Sequence, residues 1–181
     1  MASNIYGFDT LRQRLGYGAR PNKYLVTIVT PSESGISLDA EEIVAFCKGS
    51  SIPNRDMGIA EIWMQGRKIP VPGDAQFSNS WDLTFYNDQT HNLRAKFEKW
   101  IEMLDSYANH KREFTGTGYY ADNFMISQLD AQNQKEPNAN WVFFHVFPTA
   151  ISQVDFGADA NDQISEFTVT FTYAYFQRVE I

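Results

Sequence analysis

Side-chain catalysis needs nucleophiles, acids, bases or metal ligands brought together, and this chain of 181 residues spaces few of them for that work. Its three histidines are His91, His110 and His145, and none belongs to an H-E-x-x-H pair that would set two imidazoles on one helix face. His145 stands in the aromatic run Trp141 to Phe147 and reads as a satisfied structural histidine. The lone cysteine, Cys47, excludes an intrachain disulfide framework and a cysteine zinc cage. Lys48 follows it, but neighbours along a strand point to opposite faces, so the thiol reads as a packed residue rather than a nucleophile. There is no G-x-x-x-x-G-K-[ST] loop and no G-x-S-x-G elbow, and Ala121 breaks the glycine pattern begun by Gly116-Thr117-Gly118.

The best metal candidate is Asp155 to Glu166, whose acidic ends have calcium-loop spacing with Asp159 between them. Gly157 occupies a ligand position and Ala160 the turn position that calls for glycine, so an acidic exposed loop is the simpler reading. The expectation is a protein that is not an enzyme and uses no cofactor or metal.

The charge excludes a second class. Twenty-two acids against 15 bases give −7, whereas a general nucleic-acid binder carries the opposite sign. The basic residues Arg12, Arg14, Arg20, Arg67, Lys68, Lys111 and Arg112 are scattered, without the stripe and stacking platforms of a strand binder. Phe, Ile, Val and Leu make up about a quarter of the chain, enough for a packed core without staples. The aromatic apolar run Trp141 to Phe144 is far short of the ~20 residues of a membrane helix, and Met1 to Leu15 lacks the apolar stretch of a signal peptide. The expectation is a soluble protein, intracellular when made.

The elements follow from periodicity. Residues 1–18 read as an N-terminal arm, in which Phe8, Leu11 and Leu15 are spaced for a short amphipathic turn, and residues 19–181 as one β domain. Lys23 to Thr30 predicts a strand. Ile36 to Leu38 and Ile43 to Lys48 predict a further strand region interrupted by Asp39-Ala40-Glu41-Glu42. A long loop over about 50–75, rich in Pro and Gly, predicts a protruding hairpin with exposed apolar residues and hence a contact surface. Alternatively Ile62, Trp63 and Met64 fold back onto the core.

Trp81, Leu83 and Phe85 alternate with polar residues and predict a strand, Ser80 to Tyr86. One helix is predicted over His91 to Tyr107, with Leu93, Phe97, Trp100, Ile101 and Leu104 on its apolar stripe, Asn87-Asp88 as N-cap and Asn109 as C-cap. Lys111 to Gly118 reads as a loop, Tyr120 to Asp130 as a strand, and Gln132 to Asn140 as an exposed turn or loop. Trp141 to Phe147 reads as a strand ended by Pro148. In the last strand Phe167, Val169, Phe171, Tyr173 and Tyr175 face one way and Thr168, Thr170, Thr172 and Ala174 the other. The fold class is mainly β (α+β): an antiparallel β-sandwich or barrel with one packed α-helix.

In order and spacing these segments resemble the tail tube protein family of contractile-tailed bacteriophages, the T4-like tube proteins. The resemblance starts at Ala19-Arg20-Pro21-Asn22 and continues through Phe46-Cys47-Lys48 and Ile52-Pro53. It is strongest in Arg67-Lys68-Ile69, Gly73-Asp74, Phe77, Trp81, Asn87-Asp88, His91, Arg94, Phe97 and Trp100. It closes with Phe147-Pro148, Ile164, Phe167, Val169 and Thr170 to Tyr175.

The resemblance implies subunits that form hexameric rings, stack into a tube inside a contractile sheath, and lend strands to a shared barrel. Roughly twenty-four strands at ~4.8 Å and ~40° tilt would enclose a backbone diameter of about 48 Å, wide enough for a DNA duplex. Implied partners are further copies of the chain and the tail sheath, baseplate, tail terminator and tape-measure proteins. DNA passes without specific binding, and no membrane is involved. The implied location is the virion tail, after assembly in the host cytoplasm.

Candidate inter-ring or inter-subunit contacts are Phe8, Leu11, Arg20, Met57, Ile59, Ile62, Trp63, Met64, Arg67, Lys68 and Asp74. Candidate bore residues are Thr168, Thr170 and Thr172, unless their face meets the sheath instead. A baseplate tube-initiator of the same fold and a type VI secretion-like tube subunit are the neighbouring alternatives. A ligand-binding or hydrolytic β-barrel is the alternative of another class, and it lacks a convergent catalytic constellation.

Overall fold

The computed structural model describes residues 8–16, 18–31, 35–106, 118–157, 159 and 161–180, without the side chains of Phe8 and Thr10. Two four-stranded antiparallel sheets face each other. The first holds β2 (Cys47–Ser50), β5 (Ser80–Tyr86), β9 (Glu166–Thr172) and β8 (Phe147–Ile151), in that order. The second holds β1 (Tyr24–Thr27), β6 (Phe124–Leu129), β7 (Lys135–Phe144) and β10 (Tyr175–Val179). A separate two-stranded ribbon, β3 (Arg55–Met64) with β4 (Arg67–Phe77), precedes β5. The helices are α1 (Phe8–Leu15), α2 (Ala40–Phe46) and α3 (Asn92–Leu104).

Alternation decides which face of the first sheet is dry. Trp81, Leu83 and Phe85 of β5 pair in register with Phe171, Val169 and Phe167 of β9, and all six are almost fully buried. Across the sandwich Trp81 stacks on Phe143 of β7 at 4.3 Å and 4°, and Phe171 meets Phe124 of β6 edge-on at 5.4 Å. Offset and edge-on aromatic packing of this kind adds to the apolar area each ring buries. The stripe of α3 closes the seam. Phe97 packs on Phe85 and Phe171, while Trp100 reaches both Phe124 and Phe171.

Asp88 starts α3, as the sequence suggests. Its carboxylate accepts from the Asn92 backbone N–H at 3.2 Å and from the Thr90 hydroxyl, and these bonds hold its pKa below the usual value, the Thr90 bond most. His91 occupies the geometric cap in left-handed conformation. The helix ends at Leu104, and the expected cap Asn109 and the Lys111 to Thr117 part of the expected loop lie outside the described residues.

Five readings are corrected. Asp39-Ala40-Glu41-Glu42 does not interrupt a strand but begins α2: Asp39 Oδ1 accepts the Glu41 N–H at 3.1 Å, and the two glutamates sit in the positive first turn. The strand proper is only Cys47–Ser50, and no strand forms over Ile36 to Leu38. The first strand is shorter than Lys23 to Thr30, because pairing with β6 covers only Tyr24 to Thr27.

Residues 135–140, expected as turn or loop, are the first part of β7, which turns back on β6 through Asn133 at positive φ. Pro148 does not end a strand. The chain breaks at His145, also at positive φ, and Pro148 lies inside edge strand β8, where a missing N–H costs no central ladder bond. The last strand is two: β9 stops at Thr172, and β10 crosses to the other sheet and pairs with β7. Buried Tyr173 holds the corner with its hydroxyl 2.9 Å from Ser78 Oγ.

Candidate functional site: an outer sheet face and a projecting ribbon

The face of the first sheet turned away from the core is polar. Register places Asp82 opposite Thr170, Thr84 opposite Thr168, and Tyr86 opposite Glu166. Thr170 Oγ1 donates to Asp82 Oδ1 at 2.7 Å, and the Thr84 and Thr168 hydroxyls are 3.1 Å apart. Thr172, opposite Ser80, is half-buried on the same face. At one margin Lys48 reaches Glu166 Oε1 at 2.5 Å and lies 5.7 Å from the Tyr86 ring. The bond to Glu166 raises the Lys48 pKa, so the lysine stays charged beside its partner carboxylate. This face thus carries one cation and two carboxylates amid hydroxyls. Thr168, Thr170 and Thr172 were singled out from sequence. Asp82, Glu166 and Lys48 were not assigned to this face, although the alternation of Asp82 with Trp81 and of Glu166 with Phe167 is the signal that finds two of them.

Among the described residues no strand pairs with the outer edge of β2 or of β8, the two end strands of this sheet. Each is short, so neither presents the long edge that invites uncontrolled pairing.

The ribbon projects from the sandwich. Its base is anchored by Phe77, which packs edge-on against Phe176 of β10 at 5.4 Å and carries Arg55 over its ring at the same distance. Beyond the base nearly every residue is exposed, including Ile59 at 73% and Trp63 at 66%. Met57, Ile62, Met64 and Ile69 are exposed as well, so Ile62, Trp63 and Met64 are not folded back onto the core. Lys68 Nζ holds Glu61 at 2.6 Å and lies over the Trp63 ring at 5.2 Å. Arg67 and Asp74 are exposed. Gly58 and Gly73 let the strands touch at the bulge: a Cβ on Gly73 would meet the Gly58 carbonyl carbon and oxygen at 3.0 Å.

Elsewhere the arrangement does little chemistry. A cleft of about 550 Å³ between β1 and β2 is lined by Tyr24, Cys47, Lys48 and Tyr86 among others. Burial pushes the Tyr24 phenol up to about 12, and its hydroxyl donates to the Cys47 carbonyl at 3.1 Å. Burial also raises the Cys47 thiol, so both groups are protonated at neutral pH and neither is a ready nucleophile. Asp155 and Asp159 are exposed, Glu166 is paired with Lys48, and among the described residues no cluster of acidic, histidine or cysteine side chains is placed to hold a metal. Of the arm candidates, Leu11 is 59% exposed on α1. The side chain of Phe8 lies outside the described residues. Arg20 is exposed, and its carbonyl accepts from Gln128 Nε2 at 2.9 Å. No helix among the described residues is long and apolar enough to cross a membrane.

A two-sheet body with a wet sheet face, free sheet edges and an apolar ribbon defines a structural protein built to contact other chains. Residues 19–179 match the family model described as phage tail tube protein. The chain belongs to that family, and it is a tail tube structural subunit of contractile-tailed phages, a virion component and not an enzyme. It is 27% identical over 161 residues to the tail tube protein gp19 of Enterobacteria phage T4, covering 88% of this chain and 91% of that one. In fold it resembles the tube terminating cap of the anti-feeding prophage, with TM-score 0.65, 16% identity and full coverage of both chains. It also resembles a chain of the PVC sheath-tube complex in the extended state, with TM-score 0.56 and 16% identity over 97% of this chain and all of that one.

Proposed function

We propose that copies of this chain close into hexameric rings that stack into a hollow tube, with the polar face of the β2-β5-β9-β8 sheet lining the bore and DNA sliding through it during ejection. The observation that carries the reading is the composition of that face together with its free edges. The sheet is dry on one side and wet on the other, and no described strand pairs beyond β2 or β8, so a ring of copies joined at those edges would enclose a continuous polar surface. Carboxylates outnumber cations on it, and six chains at −7 amount to −42 per ring. A cationic bore would hold phosphates at many points at once, whereas a hydroxylated, acidic one lets the duplex move.

The arm and the ribbon complete the assembly. Met57, Ile59, Ile62, Trp63 and Met64 supply the apolar contact between stacked rings, and Arg67, Lys68 and Asp74 fix its register by charge. The sheath surrounds the tube, and baseplate, terminator and tape-measure proteins meet its ends and interior. The test is negative-stain microscopy of the purified protein over a range of concentrations. Hollow tubes are expected, single capped rings would instead indicate a tube initiator, and persistent monomers would overturn the proposal.

A further inference from the structure

The outward side of α2 and the adjoining edge strand β1 form a shallow groove of about 380 Å³, lined by Leu25, Thr27, Ala40, Glu41, Val44 and Ala45. Leu25, Val44, Ala40 and Ala45 make most of its lining apolar. Val44 is 44% exposed, and the alanines leave room for a helix to approach closely. Asp39 and exposed Glu41 give its rim negative charge.

A matching element lies on the same chain. α1 exposes Leu11 at 59% and Leu15 at 61%, one helical turn apart on one face, and carries Arg12 and Arg14 in its last turn. Within one copy the two surfaces do not cover each other, since Leu11, Leu15 and Val44 all remain exposed.

We infer that α1 of one copy docks in the α2–β1 groove of a second copy, its leucines on Val44 and Leu25 and its arginines beside Glu41. The inference rests on the tube reading and adds to it a partner surface for the arm. Charge complementarity selects the occupant: a basic helix with two leucines fits an acidic-rimmed apolar groove, and the groove borders an unpaired sheet edge.

The experiment uses full-length chains in a Cys47→Ser background, one carrying Leu15→Cys and the other Val44→Cys, mixed before assembly and treated with a short bis-maleimide. A cross-linked heterodimer containing one chain of each kind is expected. Tubes that form without heterodimer would overturn the inference and leave the tube reading standing. A chain carrying both cysteines that cross-links only within itself at high dilution would also overturn it, assigning the groove to the chain's own arm. Wild-type protein that never forms rings or tubes would sink the tube reading instead. Charge reversal supplies a measurement independent of Cys47. Glu41→Arg should raise the concentration needed for assembly at least tenfold, and adding Arg12→Glu and Arg14→Glu should restore it. No change with Glu41→Arg would also count against the docking.

Discussion

At the scale of single residues, the pairing of Lys48 with Glu166 has the clearest functional consequence. In the proposed bore, every ring presents one such lysine per chain, each held by a carboxylate at 2.5 Å. Glu166→Gln removes the counter-charge and leaves the cation facing the duplex. Tubes should still form, but DNA release should slow, with the defect diminishing as salt is raised. Ejection kinetics of the variant and the wild type at two ionic strengths measure this, and a variant that releases DNA at the wild-type rate at low salt would contradict it. Asp88 offers a stability counterpart. Because its folded pKa is depressed, its contribution is fully present above the ordinary carboxyl range near 4 and is lost as pH falls through the lower folded value. Asp88→Ala should therefore cost about 1 kcal/mol in urea unfolding at pH 7 and little at the acid end.

At the scale of elements, the ribbon depends on two glycines facing each other. Gly73→Val would press a branched side chain into the Gly58 backbone, where even a Cβ has only 3.0 Å. The sandwich should keep its melting temperature, since the ribbon shares little of the core, while tubes shorten or vanish. Trp63→Ala tests the apolar tip alone: subunits should fold as before by circular dichroism, and long tubes should be absent from micrographs.

The sequence made some elements readable and concealed others for physical reasons. The stripe of α3 and the alternation of β5 and β9 were legible because each has one dry side, and only a dry side imposes a period. The stretch 135–140 is a strand wet on most of its surface, so its residues need not alternate, and it reads as loop. Asp39-Ala40-Glu41-Glu42 was a helix start in plain view, an Asp cap followed by acids, hidden by the β-branched residues after it. The sheet change after Thr172 was invisible because aromatic alternation runs on through Tyr173 and Tyr175 while the side chains change surroundings. The ribbon was legible as a protruding hairpin with exposed apolar residues, but its regular pairing over both strands was not, because Pro70 and Pro72 argue against a strand unless it is an edge.

For the whole molecule, the joint between the sheets is the aromatic layer centred on Trp81. Trp81 touches Phe143 and Phe124 of one sheet and Phe171 of the other, and its indole N–H donates to the Ser51 carbonyl at 2.9 Å. Trp81→Ala should cost about 3–5 kcal/mol, measured by denaturant unfolding, because the vacated volume lies between two sheets that cannot both collapse into it.

The corner at Tyr173 and Ala174 carries a further meaning. There the backbone passes directly from one layer to the other, so the two layers are joined by covalent bonds as well as by side-chain packing. In a tube of such subunits, a push on the outside as the sheath shortens would reach the inner surface through an unbroken main chain. The wall would then bend as a single laminate rather than as two plies free to slip, and a cylinder made this way keeps its channel round under load.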